Sequence, residues 1–193
     1  MHSIKGNRFT ISQQFTALVN RFDIHDDTGS PIGFAEQKRF NLREQVSVWK
    51  DASKDEVLFS IAAEKVFDIH GKYLVSDGNG QQVGYIQKLF VESLLRSTWA
   101  VYRMDDTLLF TAVERNLIVA LVRRLGAFVP VVGELLEQLP FGFDFIKDGE
   151  PAGYHRRKRG LRDQYEIAVE EGVDVDRRVL IALGILLDIL QQR

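Results

Sequence analysis

One motif is written twice in this chain, and the motif is a hairpin. Phe22-Asp23-Ile24-His25-Asp26-Asp27-Thr28-Gly29-Ser30-Pro31-Ile32-Gly33-Phe34 returns as Tyr73-Leu74-Val75-Ser76-Asp77-Gly78-Asn79-Gly80-Gln81-Gln82-Val83-Gly84-Tyr85. Each copy opens on an aromatic, places a β-branched residue two positions on, and reaches Asp-x-x-Gly. A β-branched residue, Gly and a second aromatic follow, with a Gln-Lys pair shortly after (Gln37-Lys38, Gln87-Lys88). Apolar residues alternating on both sides of an Asp/Gly turn place one set of side chains on one face of an antiparallel pair. A degraded third copy opens at Trp99 and closes through Leu108 to Val113. A fourth runs from Phe143 to Tyr154 with a turn one residue shorter.

Between the copies lie more strand-like stretches. They are Arg8 to Phe15, Gln45 to Trp49 paired with Val57 to Ile61 across a polar turn, Val66 to Ile69, and Tyr165 to Val169. About a dozen short strands with frequent turn signals predict an all-β sandwich or barrel. Two stretches depart from this pattern. Leu117, Leu121, Val122 and Leu125 recur at helical spacing before Pro130, so 116–138 reads as a helical excursion packed outside the sheet. Val179 to Leu190 is apolar on every face apart from Asp188. As a helix it reaches only about 18 Å against a hydrocarbon core of about 30 Å, too short to span and suited to burial inside protein. Asp174 or Asp176 is its expected N-cap. Asp188 is either buried with a raised pKa or reaches water at the helix end, and its place close to that end favours the second.

A long antiparallel sheet has two edges to hide, and closure into a barrel removes them. A dozen strands enclose a lumen wider than their own side chains fill. The terminal apolar helix is the one segment suited to occupy it. The expected fold is therefore mainly β: a closed antiparallel barrel of about twelve strands enclosing a helix at 177–191, with residues 1–193 forming a single domain.

Aromatic-x-β-branched-x-Asp-x-x-Gly hairpins in series, Trp99 opening a later copy, and an apolar helix after Tyr165 resemble one branch of the tubby C-terminal superfamily, the LURP-one-related and phospholipid-scramblase-like proteins. The resemblance runs from about Phe9 to Leu190. It implies a closed twelve-stranded barrel around a hydrophobic helix, with no catalytic role. It also implies basic surface residues that hold phosphoinositide headgroups. The resembled scramblases carry an acidic calcium segment before the terminal helix. The matching stretch Glu170-Glu171-Gly172-Val173-Asp174-Val175-Asp176 is acidic but not a close match, which puts calcium-triggered scrambling in doubt.

Catalytic chemistry leaves little trace. With no cysteine, the chain has no disulfide, thiolate metal site or cysteine nucleophile. His2, His25, His70 and His155 lack metal-ligand spacing, and no phosphate-binding loop or nucleophile elbow is present. Asp77-Gly78-Asn79-Gly80 hints at a calcium loop, but Lys88 stands at the twelfth position where a bidentate Glu is needed, so a turn is the better reading. Glu134 and Glu137 read as a solvated helical face. No catalytic residue, metal ligand set or cofactor is expected.

The basic run carries the functional weight. His155-Arg156-Arg157-Lys158-Arg159-Gly160-Leu161-Arg162 holds five permanent cations and no acid, flanked by Glu150 and Asp163. Clustered arginines bind phosphate groups by bidentate forks and point charge together. Arg156, Arg157, Lys158, Arg159 and Arg162 are therefore the candidate headgroup ligands, and an anionic membrane surface, met peripherally, is the expected partner. Nucleic acid is disfavoured, because the net charge is −2 and no aromatics interleave with the run. Residues 1 to 21 lack an apolar signal core, so a cytoplasmic location is expected. The competing reading is an interaction scaffold with no lipid role, using barrel edges or the 116–138 excursion.

Overall fold

The computed structural model describes residues 4–15, 19–38, 45–64, 71–89, 96–115, 142–158 and 163–191. Among these are the strands β1 (Arg8–Phe15), β2 (Val19–Asp26), β3 (Pro31–Lys38), β4 (Val46–Trp49), β5 (Val57–Ala63) and β6 (Lys72–Asp77). They continue as β7 (Gln82–Lys88), β8 (Thr98–Tyr102), β9 (Leu108–Glu114), β10 (Gly142–Lys147), β11 (Glu150–Lys158) and β12 (Asp163–Val169), and one helix follows, α1 (Arg177–Gln191). Every strand pairs antiparallel with its neighbours in sequence, and β1 pairs with β12, so the meander closes on itself. The expected closed twelve-stranded barrel is the observed one. Val66–Ile69 and the 116–138 excursion lie outside the described residues.

The Asp of the repeated motif staples its turn. Asp26 Oδ1 accepts from the amides of Thr28 at 2.9 Å and Ser30 at 2.8 Å, and Asp77 Oδ1 accepts from Asn79 and Gln81, both at 2.9 Å. Side-chain bonds to amides two and four residues on stand in for missing ladder bonds. Gly29 and Gly80 take φ of +83° and +84°, the left-handed conformation that closes each turn, their amides donating to the carbonyls of Asp26 at 3.1 Å and Asp77 at 2.9 Å. In the shorter fourth copy Asp148 and Gly149 both have positive φ, as a two-residue hairpin loop requires. Asp51 and Asp105 repeat the staple in the remaining hairpins, bonding the amides of Ser53 and Thr107 at 3.0 Å. The resemblance of these loops to calcium sites is turn chemistry.

Alternation turns one face of each strand inward. Phe9, Ile167, His155, Phe143 and Glu114 lie opposite one another across successive strands and are all buried, forming part of one inward-facing layer. The lumen they face is filled by α1, whose residues Val179 to Ile189 are all buried. A helix apolar all round loses nothing by being enclosed on all sides, and each buried aliphatic side chain contributes about 1.5–3 kcal/mol. Asp176 caps it, its Oδ1 accepting from the Arg178 amide at 2.9 Å. Arg177 ties the helix start to the N-terminal segment through the Gly6 carbonyl at 2.6 Å.

Asp188 corrects the sequence reading. It is 2 % exposed, with Leu187 and Ile189 buried on either side, so this turn of the helix is still enclosed.

The meander also sorts the connections. The β2–β3, β4–β5, β6–β7, β8–β9 and β10–β11 turns share one end of the barrel with segment 170–176, which carries the chain from β12 into α1. α1 starts at this end and runs toward the opposite one, where β11 terminates.

Candidate functional site

Three of the five predicted ligands, Arg156, Arg157 and Lys158, are the last residues of β11 and are exposed. Arg159 and Arg162 lie outside the described residues. Period-two alternation divides the run. Tyr154, Arg156 and Lys158 share one face, whereas His155 and Arg157 take the other, and only His155 is far enough from the strand end to be enclosed. His155 is 0 % exposed, with its ring stacked on Tyr165 at 5.3 Å and 9° and the Phe143 ring 6.3 Å away. Burial pushes its imidazole down to about 3, so it is neutral near pH 7 and is no part of the basic surface. His25 is half-buried on β2, and His2 and His70 lie outside the described residues.

On the outer face the sequence reading missed a platform. The Arg156 guanidinium lies 4.2 Å from the Tyr154 ring centroid. A contact through a ring face uses none of the five N–H donors, so it orients the guanidinium and leaves its fork free for an acceptor. Tyr154 donates its hydroxyl to Glu166 Oε1 at 2.6 Å, and Lys158 Nζ meets Glu166 Oε2 at 2.8 Å. Burial acts to raise Glu166, and donation from Lys158 and Tyr154 outweighs it, holding the carboxyl below its usual range. Burial and the bond to Glu166 push the Tyr154 hydroxyl up. Arg8 on β1 is close enough for its charge to act on both groups.

Glu150, read as a flanking counterion, belongs to the turn at the other end of β11, about 26 Å from Lys158 along an extended strand. Glu166 meets Lys158 of the run, and its position follows from register: Arg156 is opposite Glu166, and Lys158 is opposite Gln164.

Among the described residues the two ends of the barrel differ in sign. Each stretch at the turn end, 26–31, 50–56, 77–82, 103–107, 147–150 and 170–176, carries more carboxylates than cations. At the opposite rim β11 delivers Arg156, Arg157 and Lys158, β6 opens with Lys72 and β7 closes with Lys88. Three described carboxylates there are ion-paired: Glu64 with Lys72 at 3.1 Å, Asp144 with Arg115 at 3.6 Å, and Glu166 with Lys158.

Among the described residues no three His, Asp or Glu side chains are grouped to hold a metal ion, and no helix is long and apolar enough to cross a membrane. Arg123, Arg124, Glu134 and Glu137 lie outside the described residues.

A closed antiparallel meander wrapped around its own terminal helix defines the class, a tubby-like barrel. The chain belongs to the LURP-one-related family, whose model matches residues 32–188, and that family is part of the tubby-like superfamily. A solved X-ray structure of an Arabidopsis thaliana protein is similar over 96 % of this chain and 92 % of its own, at 17 % identity and a TM-score of 0.38. No curated protein matches the chain.

Proposed function

We propose that this LURP-one-related barrel is a non-enzymatic module that attaches peripherally to anionic phospholipid headgroups. Its contact is the rim formed by Arg156, Arg157 and Lys158, with Arg159 and Arg162 of the same run. The observation that carries this reading is the opposition of charge along the barrel axis. An acidic turn end and a basic far rim orient the molecule in the field of an anionic surface before any contact is made. A basic residue near such a surface is worth about 1 kcal/mol, so five give a weak, reversible, sub-millimolar attachment. Lys158 contributes least, because Glu166 already neutralises it.

Vesicle flotation tests the reading. Binding to anionic vesicles that weakens as salt rises supports it, as does its loss when Arg156, Arg157 and Arg159 are replaced by glutamine with the melting temperature unchanged. If the wild-type chain ignores anionic vesicles at low salt, the headgroup reading is wrong and the scaffold reading takes its place. That scaffold has no strand edge to offer, because the barrel is closed.

A further inference from the structure

The outer face where β11, β12 and β1 meet gathers the cations of the run around one carboxylate. Cross-strand register puts Arg156 beside Glu166. Arg8 lies one row toward the turn end, level with Tyr154 through Ala168, and Lys158 lies one row toward the far rim. Among the described residues these rows hold three cations and a single acid. Glu166 uses both its oxygens: Oε1 accepts from the Tyr154 hydroxyl at 2.6 Å, and Oε2 meets Lys158 Nζ at 2.8 Å. The Lys158 side chain is 45 % exposed and that of Glu166 17 %, so the lysine faces solvent while its partner is tucked against the wall. Lys158 and Arg8 both act to keep the carboxylate ionised.

An ionised carboxylate anchored by a tyrosine and seated among three cations is the chemical equivalent of the anion such a patch would recruit. A partly exposed Lys–Glu pair is weak, and an anionic surface attracts a cation on the same scale, so the two compete on near-equal terms. We propose that Glu166 is a built-in competitor for the headgroup, holding Lys158 until a lipid phosphate takes its place at the ammonium. This rests on the headgroup reading and adds its regulation: Glu166 is a positioning residue that sets how many cations of the run a membrane can use. Arg156, oriented by the Tyr154 ring, is available from the start, and Lys158 joins only by exchange.

The test is a double-mutant cycle on the whole chain, read by titration with phosphatidylglycerol–phosphatidylcholine vesicles at low salt. Glu166→Gln is expected to bind about five-fold tighter than wild type, the scale of one charge near an anionic surface. Glutamine keeps an oxygen for the Tyr154 hydroxyl, so the melting temperature should hold; should it fall, Glu166→Thr, whose branched side chain suits a strand, replaces it in the cycle. Lys158→Gln is expected to cost about three-fold more affinity in the Glu166→Gln background than in wild type, because only there is the ammonium free. An equal cost in both backgrounds is a plain charge effect and overturns the proposal, as does a Glu166→Gln chain that binds no tighter than wild type. Inorganic phosphate is the matched arm: no saturable heat is expected on titrating it into Glu166→Gln without vesicles, and saturable heat would assign the exchange to a free anion and overturn the lipid one. Wild type that ignores the vesicles removes the headgroup reading and this inference with it. Wild type that binds without coupling between residues 158 and 166 removes this inference alone.

Discussion

Gly84 on β7 lies against Val179 in the first turn of α1: a methyl group at residue 84 would sit 2.9 Å from Val179 Cγ2 and 2.9 Å from the Tyr102 carbonyl oxygen. The second glycine of the repeated motif therefore sets how closely the wall approaches the lumen helix and the next strand. Because one of the obstructing atoms is backbone, it cannot rotate away. Gly84→Ala is expected to destabilise the fold by about 1–3 kcal/mol. Urea unfolding should show a lower midpoint at an unchanged slope.

The helix is the centre of the core, so truncating one of its side chains opens a cavity rather than a surface dent. Leu183 is 0 % exposed, and Leu183→Ala should cost about 2–5 kcal/mol. Leu108, 48 % exposed at the start of β9, provides the contrast, and Leu108→Ala should fall within about 0.5 kcal/mol of wild type. Thermal unfolding of the two variants side by side checks both values.

His155 makes the barrel sensitive to acid. Its folded value of about 3 lies below the ordinary 6.5, so between these limits the unfolded chain takes up a proton that the folded chain refuses. The stability it confers is full above about pH 6.5 and is lost as pH falls toward 3, at up to about 1.4 kcal/mol per pH unit. His155→Phe should flatten that slope relative to wild type in a series of urea titrations from pH 7 to pH 4. A parallel slope in the two proteins would show that other groups set it.

Asp176 acts in a lower window. Burial alone would raise its carboxyl, and the Arg178 donors more than offset this, holding it below 3.8. A depressed carboxylate stabilises above its unfolded value and ceases to do so as pH falls through the folded one, here below about pH 4. Asp176→Ala removes both the cap and the Arg178 pairing, and a loss of about 1 kcal/mol at pH 7 is expected by chemical denaturation.

Features set by local chemistry were legible in the sequence. Asp26 and Asp77 staple their own turns within four residues, and Val179 to Ile189 announces burial by being apolar on every face. Asp188 was misread and the burial of His155 went unread, because enclosure by the barrel wall is not specified by any neighbouring residue. Glu166 was missed as the partner of Lys158 because cross-strand register places it there, and a bulge between Phe145 and Ile146 shifts register on the other side of β11. The signal that was available is the alternation Tyr154-x-Arg156-x-Lys158, which puts an aromatic and two cations on one face.

The most direct measurement asks which end of the barrel meets the membrane. The chain has no cysteine, so Gln164→Cys beside Lys158 and Asn79→Cys in the β6–β7 turn each give a single attachment point for an environment-sensitive fluorophore. With anionic vesicles carrying a headgroup-level quencher at low salt, the label at residue 164 should be quenched and the label at residue 79 should not. Quenching at residue 79 alone, equal quenching at both positions, or none at either would contradict headgroup attachment through the basic rim.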